Sequence, residues 1–143
     1  DSTVDVVYSC HMIEHLQKED VALFLKEARR ILKIGGIIRI VVPDLEYQVE
    51  NYTKDGDADK FIENTLLAIK IPKTLVAKIK YLIVGERNHQ WMYDGASLCK
   101  LLTIAGFFQP RILESGLTSI REPGLLDLEE RSPGSVYVEA VRS

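Results

Sequence analysis

A chain of 143 residues with 46% apolar and 27% charged residues can bury one core, and its composition is far from that of a disordered segment. A formal net charge of −3 supplies no general drive toward polyanions, so nucleic acid is not expected as a partner. Two cysteines, Cys10 and Cys99, show neither disulfide density nor metal spacing, which leads us to expect a reduced, cytoplasmic chain.

The chain begins at Asp1 and enters a strand-like run almost at once, which reads as a start inside a fold. Val4, Val6, Val7 and Tyr8 form a nearly continuous β-favouring run, as in a strand covered on both faces. A helix is predicted from Lys18 to Leu32, where Val21, Phe24, Leu25, Ala28, Ile31 and Leu32 fall on one face. Glu19 and Asp20 suit its positive end, Arg29, Arg30 and Lys33 its negative end, and Gly35-Gly36 its stop. Ile37 to Val42 then reads as a second buried strand closed by Pro43, and strand, helix, strand in this order indicates a parallel crossover.

From Asp44 to Arg87 the pattern changes to two predicted helices, Ala58 to Lys70 and Lys73 to Val84, broken by Pro72. We read this segment as a helical insertion or lid above the sheet. Its apolar stretch Leu66 to Val84 is interrupted by Lys70, Lys73, Lys78 and Lys80, so no membrane span is expected. Asp94 can cap a further helix with Leu98, Leu101, Leu102 and Ala105 on its apolar face, ended by Gly106. Phe107 to Leu113 reads as a strand, Glu114 to Ser135 as a turn-rich loop, and Val136 to Val141 as a final strand.

Several local runs sharpen this order. Val4 to Leu16, with Cys10-His11-Met12-Ile13-Glu14-His15-Leu16, resembles the fourth strand and following loop of the class I S-adenosylmethionine-dependent methyltransferases. Lys26 to Gly36 resembles the next helix and its L-K-P-G-G exit, with Ile34 in place of proline. His89-x-Trp91-x-Tyr93, the leucines after it and Ala105-Gly106-Phe107 are similar to the penultimate helix and its exit into the sixth strand. The resemblance implies an α/β fold, the C-terminal part of a doubly wound Rossmann-like methyltransferase sheet whose last strand is antiparallel. It also implies S-adenosyl-L-methionine as cofactor and methyl transfer to a small-molecule or glycan acceptor. The glycine-rich turn and the ribose-binding acidic residue of such sites are not found in these residues. Gly35-Gly36 follows a helix and precedes a strand, the reverse of a cofactor-cradling turn. This chain alone is therefore expected to be a truncated, inactive domain.

Ser9, Cys10 and His11, at the end of the first strand, are expected to line the cofactor, because ligands collect at the carboxyl ends of parallel strands. A small pair packed tightly between strand and helix would look the same. His11 and His89 are the candidate bases, since an imidazole near pKa 6.5 can accept a proton from a hydroxyl or amine. In-line methyl transfer draws much of its rate from orientation, so a dedicated base is not required. His15, Trp91 and Tyr93 are candidate acceptor contacts, with Trp91 favoured as an anchor for the insertion. His11, Glu14 and His15 have turn spacing that can gather metal ligands, but the signal is weak, no metal is assigned, and Glu14 is expected to cap the helix or orient His15. A non-catalytic, methyltransferase-like interaction module is the alternative function. The flank of the first strand further predicts a homodimer or association with the missing N-terminal part.

Overall fold

The computed structural model describes residues 1–67 and 88–143. Four strands form one sheet: β1 (Val4–Cys10), β2 (Leu32–Pro43), β3 (Phe107–Leu113) and β4 (Ser135–Arg142), in the order β1-β2-β4-β3. β1 and β2 are parallel and joined through helix α1 (Lys18–Ile31), whereas β4 runs antiparallel to both of its neighbours. The continuous Val and Ile runs behave as expected, because β2 is covered on both faces. Ile38, Ile40 and Val42 face the core with Val136, Val138 and Ala140 of β4, while Arg39 and Val41 point the other way, also buried.

On the core face lie α1, through Val21, Leu25 and Ala28, and α4 (Gly95–Ile104), through Leu98 and Leu102. Leu25, Leu98 and Leu102 are fully buried, each worth about 1.5–3 kcal/mol relative to exposure. The start of α4 is a capping box. Asp94 Oδ1 accepts the Ser97 N–H at 2.7 Å and Ser97 Oγ accepts the Asp94 N–H at 3.0 Å. Gly106 leaves the helix at φ +84°, and its carbonyl accepts from Arg29 Nε of α1 at 3.1 Å.

Three expectations about boundaries are corrected. First, α1, expected from Lys18 to Leu32, is not stopped by Gly35-Gly36. It ends at Ile31, and Leu32 is already extended at φ −61°, ψ 144°. The two glycines belong to an irregularity inside β2, where Val4 pairs with Leu32 but Val6 pairs with Ile37. Gly35 has φ +79°, and a Cβ on Gly36 would sit 2.9 Å from the Lys33 carbonyl oxygen and 3.0 Å from that of Asp5. The glycines let β2 bulge and still close on β1.

Second, residues 45–55 form a helix that sequence patterning missed, α2 (Leu45–Asp55), capped by Asp44 and ended by Gly56 at φ +69°. None of its residues is buried, so it carries no apolar stripe to read. Third, the helix expected from Ala58 to Lys70 ends earlier, as α3 (Ala58–Thr65), with Leu66 left-handed at φ +53°. Two carbonyls at this end are taken by His89: its ring Nδ1 meets Thr65 O at 2.8 Å and its backbone N–H meets Leu66 O at 3.1 Å. The helix expected over Lys73 to Val84 lies outside the described residues, as does most of the lysine-studded stretch. Among the described residues, no helix is long and apolar enough to cross a membrane.

The second face of the sheet is covered by the segment between β3 and β4, which contains neither helix nor strand. It is held by a buried ion pair. Arg39 Nη1 of β2 lies 2.8 Å from Glu139 Oε1 of β4, with the two side chains 0% and 3% exposed. Arg39 also donates to the carbonyls of Leu117 and Leu128, and Glu139 accepts from Thr118 Oγ1 and the Ser119 N–H.

Candidate functional site at the carboxyl ends of the parallel strands

Three segments distant in sequence meet beyond the carboxyl ends of β1 and β2. His11 N donates to Val41 O at 2.8 Å, extending the β1–β2 ladder by one bond, and His11 then turns the chain at φ +46°. A 3-10 turn over Ile13–His15 follows, and the Glu14 carbonyl accepts from the N–H groups of Gln90 and Trp91, at 2.7 and 3.2 Å. Asp44 pairs with Tyr93 in an isolated parallel bridge and donates its N–H to Gly134 O. The loop before α1, the segment before α4 and the segment before β4 thus form one polar edge.

Ser9 and Cys10 point to opposite faces, as neighbours on a strand must. Ser9 is 5% exposed, and its hydroxyl oxygen has no hydrogen-bond partner among the described residues. Cys10 and Tyr8 both interact with Glu130, and Tyr8 Oη donates to Glu130 Oε2 at 2.9 Å. Burial, then the hydrogen bond to Glu130, pushes the Cys10 thiol up to about 12, and the same two causes raise the Tyr8 phenol. Hydrogen bonds from Cys10 and Tyr8 hold the Glu130 carboxyl below its ordinary range.

His11 is engaged at both nitrogens. Its Nδ1 lies 3.0 Å from Arg131 Nη1, and its Nε2 lies 3.0 Å from Ser135 Oγ. A guanidinium only donates, so Nδ1 accepts and Nε2 carries the proton that Ser135 receives. Burial first, then the Arg131 charge, lowers the His11 pKa to about 4. In this arrangement His11 is neutral and its lone pair is occupied.

Glu14, His15 and His89 form a second group. The Glu14 side chain is 1% exposed and neither carboxylate oxygen has a hydrogen-bond partner among the described residues; burial raises its pKa. Oε1 lies 3.4 Å from His11 Nδ1 and 3.8 Å from His15 Nε2. Glu14 does not cap α1, whose N-cap is Gln17 with no side-chain bond, so that half of the expectation is corrected. The rings of His15 and His89 meet edge to face, with centroids 5.0 Å apart. Burial, then the charge of His15, lowers the His89 pKa. Trp91, the expected anchor, is 42% exposed and carries Lys18 Nζ 3.5 Å above its ring, whereas Tyr93 is 5% exposed within the core.

The structure therefore brings His11, His15 and His89 to one edge and places Ser9 and Cys10 beside it. Glu130 and Arg131 were not foreseen. They sit in a turn-rich stretch without periodicity, and only their contacts some 120 positions back give them a role.

Residues 1–40, spanning β1, α1 and most of β2, match a family profile described as a methyltransferase domain. A search of curated proteins finds no match. Among solved structures, a S-adenosylmethionine-dependent methyltransferase of Thermotoga maritima is 19% identical, with a TM-score of 0.54 over 100% of this chain and 57% of its own. One from Mesorhizobium loti is 18% identical, with a TM-score of 0.52 over 99% of this chain and 62% of its own. The Haloferax volcanii complex of a methyltransferase with the Trm112 methyltransferase activator aligns at 15% identity and a TM-score of 0.52, over 99% of this chain and 55% of that one. The chain thus spans less than two thirds of the length of these structures. The expected antiparallel last strand is present, and β4 lies between β2 and β3. From its sheet order, its matched N-terminal segment and its shared architecture, the chain has the fold of the class I S-adenosylmethionine-dependent methyltransferases.

Proposed function

We propose that the chain forms the acceptor-side half of a methyltransferase that moves a methyl group from S-adenosyl-L-methionine to a small-molecule or glycan acceptor. The observation that supports this most is the polar edge at the carboxyl ends of β1 and β2, where ligands of open α/β sheets bind. The residues fit the cofactor in part. Ser9 offers a buried hydroxyl without a partner among the described residues, suited to the polar methionine end, with Cys10 and His11 beside it. No G-x-G run, of the kind that lets backbone approach a nucleoside, occurs in the sequence.

The cofactor supplies a sulfonium-activated methyl group, and the protein's task is to align an acceptor with it and exclude water. His11, its Nδ1 bonded to Arg131 and its Nε2 proton held by Ser135, orients the site. It would act as a base only after Arg131 leaves Nδ1. His15 and the exposed Trp91 face outward and are the acceptor contacts. Tyr93 shapes the floor from within the core. Residues 44–87 act as the lid over that acceptor.

The test is calorimetric titration of S-adenosylhomocysteine into this chain and into the product of its complete reading frame. Binding by the complete product supports the proposal, and binding by that product alone assigns the nucleoside end to residues outside this chain. Binding by neither overturns it in favour of a methyltransferase-like interaction module.

A further inference from the structure

The geometry points to a binding site for one divalent transition-metal ion of the Zn²⁺ type, made by the Glu14 carboxylate and the Nε2 atoms of His15 and His89. The ligand atoms that these three residues offer all lie within 4.8 Å of one another. All three histidines of the chain gather at this edge, although 74 positions separate His15 from His89. Local chain propensity does not explain such convergence.

The tautomers are set for it. His89 Nδ1 faces the Thr65 carbonyl at 2.8 Å and His15 Nδ1 faces the Asn88 carbonyl at 3.3 Å. A carbonyl only accepts, so both Nδ1 atoms carry the proton and both Nε2 atoms keep a free lone pair. A ring held through one nitrogen by a backbone carbonyl, with the other nitrogen free, is how proteins present histidine to a metal. His15 Nε2 is the atom 3.8 Å from Glu14 Oε1.

The carboxylate supplies the second, independent observation. Glu14 is 1% exposed, and neither oxygen has a hydrogen-bond partner among the described residues. A buried carboxylate left in that state is costly, and a cation bound by it removes the cost. Its backbone carbonyl fixes the segment bearing His89 through Gln90 and Trp91, so the two sides of the site are tied together before any ion arrives. His11 is excluded as a ligand, because its Nδ1 is occupied by Arg131.

Two imidazole nitrogens and one carboxylate oxygen suit Zn²⁺, Co²⁺ or Mn²⁺ and not Ca²⁺ or Mg²⁺, which take oxygen ligands. Bonds of about 2.0–2.2 Å require the three atoms to close in by on the order of 1 Å. The His15 side chain, 36% exposed, is free to make that movement. Three protein ligands leave coordination positions toward solvent, where an acceptor oxygen could bind.

The test titrates Co²⁺ into the full chain, followed by visible absorption, and Zn²⁺ by calorimetry, with Mg²⁺ as the control. We expect one ion per chain, at least tenfold weaker binding in His15→Ala and in His89→Ala, and unchanged binding in Cys99→Ser. Zn²⁺ should raise the unfolding temperature of the parent chain and not of His15→Ala. His15 is half-exposed, so its removal leaves the core intact even if Glu14→Gln fails to fold. Absence of stoichiometric binding by a chain shown folded by circular dichroism overturns the site, as does His15→Ala binding like the parent. Neither reading depends on methyl transfer.

Discussion

Replacing Glu139 by glutamine should weaken the fold far more than a one-atom change suggests. The Arg39 guanidinium is 0% exposed and 2.8 Å from the Glu139 carboxylate, so the substitution leaves a buried cation with neutral partners alone: the new amide oxygen, the carbonyls of Leu117 and Leu128 and the Tyr137 ring. Removing one partner of such a pair costs about 3–5 kcal/mol, a large share of the ~5–15 kcal/mol by which a domain is stable. Arg39→Met should cost less, because Glu139 keeps the Thr118 hydroxyl and the Ser119 N–H. The double variant Arg39→Met/Glu139→Gln removes both charges and should be clearly less destabilised than the sum of the single variants, with a coupling of about 2–3 kcal/mol. Urea unfolding of the four proteins gives the cycle. Trypsin cleavage at Arg121 should accelerate in Glu139→Gln, because the pair also fastens residues 114–134 to the sheet. A Glu139→Gln chain within 1 kcal/mol of the parent, cleaved at the parent rate, would refute the reasoning.

Three further outcomes follow from local geometry. Gly36→Ala should lower stability by about 1–3 kcal/mol in the same urea assay, because the new Cβ meets the Lys33 and Asp5 carbonyl oxygens at 2.9 and 3.0 Å, and backbone cannot step aside cheaply. Asp94→Ala should cost about 1 kcal/mol and increase amide exchange in the first turn of α4, since the capping box is lost while Ser97 remains. Cys10, with its thiol pushed up to about 12, is protonated across the neutral range, so its native-state reaction with a thiolate-selective disulfide reagent at pH 8 should be slower than that of a free thiol by about two orders of magnitude or more. The sign is that of a raised pKa: reactivity should climb with pH throughout the interval from 9 to about 12, and a plateau near pH 9 would contradict the burial of Cys10 beside Glu130.

The middle of the sheet was legible because β2 beyond its glycines and β4 are buried on both faces. Such strands show as unbroken Val and Ile runs, and α1 and α4 each carry a complete apolar stripe. The antiparallel sense of the last strand was expected only through family resemblance. Helix α2 was not legible, because none of its residues is buried and its surroundings select no periodic pattern. The Gly35-Gly36 pair was misplaced because a helix stop and a strand bulge ask for the same residue, and only the register against β1 tells them apart. At the site, His11 and His15 could be named from their position after β1. The engagement of His11 by Arg131, the docking of His89 on the end of α3 and the Arg39–Glu139 pair could not. Each joins residues between 24 and 120 positions apart, and no local pattern encodes such a meeting.

The place of β4 also bears on how the chain is made. Among the described residues β3 has no hydrogen-bonded neighbour in the sheet except β4, and β4 is the strip that joins it to β2. A ribosome-bound chain that has not yet released Arg142 holds a parallel pair, β1 with β2, and a separate helix–strand unit, α4 with β3. These two units have no shared ladder until the last strand threads between them. Joining of the two units then waits on Ser135 to Arg142, and chains stopped short of Ser135 would carry two unjoined sheet edges in need of chaperone protection.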